Sequence, residues 1–149
     1  MTKFLLAVHV IAAIVAIGPV TVAASMFPPT ARKVLAAADD ADALATTRLL
    51  HRICRVYATI GVVVPVFGFA TASTMGVLGD TWLIVSIALT ALAAVVLAAL
   101  VLPRQSAILE GTGDHAATVQ LAMFTGIFNL LWATVTILMI VRPGSTTGA

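Results

Sequence analysis

The side chains in this sequence that could do chemistry are few: three histidines (His9, His51, His115), one cysteine (Cys54) and six carboxylates. His9 lies a few residues inside an apolar run. An imidazole at that depth in lipid is costly without a partner. It could ligate haem b or copper through one ring nitrogen while an acceptor orients the other. The alternative is a neutral histidine hydrogen-bonded across a helix bundle, for which Thr134 and Thr136 stand at similar depth on an antiparallel count. His51 belongs to a different constellation. Arg48, His51, Arg52 and Arg55 follow the i, i+3, i+4, i+7 spacing that puts four side chains on one helix face. That cationic stripe suits anionic lipid headgroups, each cation worth about 1 kcal/mol near the surface; it also serves to anchor topology. His51 and His115 share one side of the membrane but bring no third ligand, so no metal site is expected. A single cysteine excludes an internal disulfide and any CxxC motif.

The absences narrow the function. Asp39, Asp40, Asp42, Asp80, Glu110 and Asp114 all fall in connections between apolar stretches. Proton-coupled transporters and intramembrane aspartyl proteases need ionisable groups at depth. No HExxH, phosphate loop or nucleophile elbow is present. The expectation is therefore a protein that is not an enzyme and carries no resident cofactor, with His9 as the one exception to test.

The elements that position these residues follow from composition. Charged residues make up 9% of the chain, against about a quarter in a soluble domain. Mean hydropathy is +1.13, which places the chain in a bilayer. Four stretches, about 4–27, 56–78, 82–102 and 116–141, each reach the roughly 20 residues that cross the hydrocarbon as a helix. The expectation is an all-α, up-down-up-down bundle of four transmembrane helices forming one domain over 1–149. Pro28-Pro29 is expected to end the first helix, and Pro19 and Pro65 to kink theirs. A helix from about residue 43 is expected to run into the second span, with Asp40 or Asp42 as its cap. The turn at 76–80 makes spans two and three antiparallel neighbours. Arg104 to Glu110 reads as a short amphipathic piece. Asn129, near the middle of span four, wants a hydrogen-bond partner on another helix or another copy. The small residues at 22–24 resemble a signal-peptide cleavage site, but the apolar run is longer than such a core.

Six of the eight Lys and Arg residues (Arg32, Lys33, Arg48, Arg52, Arg55, Arg104) flank the two longer connections, leaving Lys3 and Arg142 on the other side. The positive-inside rule then puts those connections in the cytoplasm and both termini outside. It also accounts for the basic pI, so nucleic acid is not an expected partner.

The stretch from Leu5 through His9 to Gly18, the basic run from Arg48 to Tyr57, and the closing Leu138 to Pro143 resemble a family of small, uncharacterised bacterial integral membrane proteins with four helices. More distantly, the histidine-then-glycine pattern of span one resembles the membrane domain of copper-resistance protein D and one type of protoporphyrinogen oxidase. The first resemblance implies a multi-pass protein of the bacterial cytoplasmic (inner) membrane. The second implies His9 as a haem or copper ligand. The leading expectation is a non-catalytic protein acting through helix–helix contacts. Its partners would be anionic lipids and either a larger membrane complex, such as a respiratory one in which it is an accessory or assembly subunit, or further copies of itself. A haem- or copper-binding protein using His9 comes second, and a small transporter of an uncharged solute third.

Overall fold

The structure is a computed structural model that describes residues 1–145. Among these the chain is helical and contains no strand. Four rods are long and apolar enough to cross a membrane: Thr2–Ala36, Ala41–Met75, Thr81–Leu109 and His115–Val141. All but the last are longer than the apolar stretches alone suggest.

Helix α1 (Thr2–Ala36) carries Pro19, Pro28 and Pro29 inside it. The expected stop at Pro28-Pro29 is therefore corrected. Each proline lacks one N–H, so the carbonyls of Ala24 and Ser25 lose their helical donors. Packing carries the helix through: Phe27, Pro28 and Ala31 are all buried. Thr30 Oγ1 donates to the Met26 carbonyl at 2.9 Å, and the helix ends six residues after Thr30, at Ala36.

Helix α2 (Ala41–Ile60) starts at Asp40, whose carboxylate accepts the Ala43 N–H at 2.9 Å. It breaks at Gly61-Val62, and α3 (Val63–Met75) continues the rod. The break lies one turn before Pro65 because the carbonyl that Pro65 cannot satisfy is that of Gly61. Tighter bonds take over there: Val62 N–H to Thr59 O at 3.3 Å and Val64 N–H to Gly61 O at 3.1 Å. Gly76 closes α3 at φ +70°, a conformation glycine adopts without a Cβ penalty, and Val77 N–H reaches back to Ala72 O at 3.2 Å.

Helix α4 (Thr81–Val95) passes into a π-helical segment, Val96–Val101, and then α5 (Leu102–Leu109). In that segment Leu102 N–H reaches back five residues to Leu97 O. Pro103 follows directly and has no N–H to give the chain behind it. Helix α6 (His115–Val141) is capped by Asp114, which accepts the Ala117 N–H at 2.9 Å.

The packing differs from a simple meander. Helix α3 lies against α1, and α4 lies against α6. The two helices joined by the tight turn thus do not pack along each other. They meet near the turn, in a cluster of Ala72, Trp82 and Leu83. The main core runs between α1, α2, the π segment and α6, around Phe27, Cys54, Val101 and Phe128.

Candidate functional site

One end of the bundle carries a cleft of about 530 Å³ lined by Arg48, His51, Arg52, Arg55, Val56 and Thr59 of α2 and Leu109 of α5. The three arginines are exposed, and among the described residues their guanidiniums make no hydrogen bond or ion pair. Among the described residues no carboxylate lines the cleft. The α2 spacing alone puts the three arginines and His51 on one face, and α5 supplies the far wall.

The floor of the cleft is His51, 8% exposed. Its Nδ1–H donates to Gln105 Oε1 at 2.8 Å. Its Nε2 is paired with the Ser106 hydroxyl at 3.3 Å. Gln105 is fully buried, and its Nε2–H donates in turn to Cys54 Sγ at 3.6 Å. Phe27 meets the imidazole edge-on at 6.5 Å. Both ring nitrogens are therefore engaged, Nδ1 by the Gln105 amide oxygen and Nε2 by the Ser106 hydroxyl. The network ties α2 to α5 and holds the arginine face in place. The π segment sets up this contact: its wider turn adds one residue, which fixes where Val101, Gln105 and Ile108 fall on the inward face. Sequence reasoning missed Gln105 and Ser106. An amphipathic 104–110 was legible, but a π turn leaves no periodic trace by which to phase it.

His9 has a different partner from the one expected. Its Nδ1–H donates to the Val64 carbonyl of α3 at 2.9 Å. Its ring lies against Gly68, where an added Cβ would stand 2.7 Å from Cε1. Thr134 and Thr136 do not reach it. Their hydroxyls donate within α6, to Leu130 O and Trp132 O, each at 2.8 Å. A helical threonine meets its own i−4 carbonyl more readily than a group on another helix, and it is α3 that packs around His9.

Among the described residues no group of three or more His, Cys, Asp or Glu side chains is placed to hold a metal. His51 lies 13 residues beyond Val64 along the same rod, about 20 Å away. His115 is exposed at the start of α6, and His51 has no free nitrogen to share with it.

Asn129 connects α6 to α1 through its Nδ2–H, which donates to Ser25 Oγ at 3.1 Å. Its Oδ1 is buried without a partner, as are Thr125 Oγ1 and Trp132 Nε1. An orphaned buried polar group costs about 1–3 kcal/mol. A cavity of about 290 Å³ lies beside Asn129 and Thr125, walled by Ser25, Pro28 and Pro29 of α1.

An arginine stacks on an aromatic ring near each end of α6. Arg104 donates to Leu100 O at 3.0 Å and to Gln120 Oε1 at 3.5 Å, and stacks on Phe124 at 4.5 Å. At the other end Arg142 stacks on Trp82 at 5.6 Å, and the indole N–H of Trp82 donates to Asp80 at 3.0 Å. The span from Gln120 to Arg142 is about 33 Å, close to the thickness of the hydrocarbon. No family model, no curated protein and no solved structure matches the chain.

Proposed function

We propose that this chain is a non-catalytic multi-pass membrane protein that works by contact. It seats anionic lipid headgroups in the basic cleft and presents its apolar helix faces to a larger membrane complex or to further copies of itself. The observation that carries the reading is the cleft: on one helix face stand three guanidiniums that, among the described residues, are unpaired and have no carboxylate beside them, over a floor fixed by His51. Guanidiniums match phosphate oxygens in geometry and charge. In this reading the basic end faces the cytoplasm of a bacterium and both termini lie outside, in keeping with the six-to-two distribution of Lys and Arg.

Two experiments test it. In a Cys54→Ala background, a cysteine at Ala37 is protected from an impermeant thiol reagent in intact cells, and one at Ser145 reacts. The reverse pattern contradicts the orientation. Crosslinking in cells followed by extraction in mild detergent yields a defined adduct, either to another subunit or to a second copy. A protein that crosslinks to nothing and runs as a lipid-free monomer contradicts the contact reading.

A further inference from the structure

The basic cleft has a direction as well as a charge. Arg48, Arg52 and Arg55 stand on one face of α2, the first part of the rod that ends at Met75. From Val56 to Met75 that rod carries no charge over about 30 Å, the thickness of the hydrocarbon. Arg55 therefore stands at the hydrocarbon edge. Arg48 lies seven residues back, about 10 Å further out, with Arg52 between them. The three cations are stacked along the membrane normal rather than spread within its plane.

The walls grade in the same direction. Val56 and Thr59 line the inner end of the cleft, and Val62, Val63 and Val66 follow, exposed, further down the rod. A charged head and an apolar chain in line with each other fit this order. A phosphodiester lipid offers two non-bridging oxygens at one level, enough for one guanidinium fork. It leaves the outer part of the stripe unused. Cardiolipin has two phosphates but sets them side by side in the plane of the bilayer. A diphosphate ester sets its second phosphate outward of the first and offers five non-bridging oxygens to the three guanidiniums.

We propose, resting on the reading of the cleft as a seat for anionic lipid, that it selects lipids with a diphosphate head. The inner phosphate is held by Arg55 and Arg52, the outer phosphate by Arg52 and Arg48, and the chain leaves past Val56 into the bilayer. The binding is non-covalent. Free diphosphate presents similar oxygens but brings no chain to the apolar end.

The test loads the full chain, in dodecyl maltoside micelles, with a fluorescent phosphatidylglycerol. The competitors are farnesyl diphosphate, farnesyl monophosphate, cardiolipin and inorganic diphosphate. Farnesyl diphosphate is expected to displace the label at a concentration about tenfold lower than any of the others. Arg48→Gln is expected to remove most of its advantage over the monophosphate, while the monophosphate itself competes within about twofold of its original strength. Lys33→Gln, which removes an exposed charge outside the cleft, is expected to change neither. Helicity and elution volume confirm that each variant is folded. Farnesyl monophosphate or cardiolipin as effective as the diphosphate ester overturns the proposal and leaves the anionic-lipid reading standing, since phosphatidylglycerol was bound. Inorganic diphosphate as effective as the farnesyl ester overturns it too, because the site then reads a free anion. A loss from Lys33→Gln equal to that from Arg48→Gln also overturns it, because bulk charge then explains the preference. A chain that never takes up phosphatidylglycerol overturns both readings.

Discussion

Two buried polar clusters among the described residues are satisfied to different degrees. At the basic end His51, Gln105, Ser106 and Cys54 close on one another. Between α1 and α6, Ser25 and Asn129 share one hydrogen bond, while Asn129 Oδ1 and Thr125 Oγ1 have none. The first cluster is a rivet: its polar atoms are used up in fixing α5 against α2, and what it offers outward is the arginine face above it. The second leaves two buried polar atoms unpaired, and each carries an uncompensated cost of burial. Buried polarity in a membrane bundle therefore has to be sorted by whether its partners are internal before a role is assigned to it.

The largest effect is expected from breaking the rivet. Gln105→Leu leaves His51 Nδ1–H and the Cys54 thiol without their partner, and should cost about 1–3 kcal/mol in thermal unfolding in detergent. A variant as stable as the wild type would show that the network holds nothing. A similar loss, about 1–3 kcal/mol, is expected for Gly68→Ala, since the new Cβ meets the His9 ring at 2.7 Å and the packed helices must separate. His9→Ala in the same background should relieve part of that loss, because it removes the ring that the Cβ strikes. The second cluster should behave in the opposite way. Thr125→Val removes an orphan hydroxyl at nearly constant volume, so stability should rise or stay within about 0.5 kcal/mol. A loss as large as that of Gln105→Leu would erase the distinction between the clusters.

Much of the architecture was legible in the sequence. Four apolar stretches of spanning length, with charges confined to their edges, dictate four helices in a bilayer. The α2 cap was legible because an aspartate ahead of an apolar run has one common use. Pro28-Pro29 misled because a proline's cost is local and known, while the burial of Phe27 and Ala31 that outweighs it is tertiary. The arginine stripe was visible through its spacing alone. Its floor was not, since Gln105 comes into contact with His51 only after a π turn and across 54 residues of chain. The partner of His9 was missed for a related reason. Depth counting compares side chains on α1 and α6, whereas the acceptor is a backbone carbonyl on α3, next to a proline.

The cleft itself decides the account. The most direct measurement is native mass spectrometry of the protein released from mixed micelles holding equal phosphatidylglycerol and phosphatidylcholine, beside Arg48→Gln/Arg52→Gln/Arg55→Gln. The account predicts phosphatidylglycerol bound in preference to phosphatidylcholine, with the preference falling at least tenfold in the triple variant while its unfolding temperature stays unchanged. Equal retention of the two lipids by the native chain, or a preference that survives loss of all three guanidiniums, would contradict it.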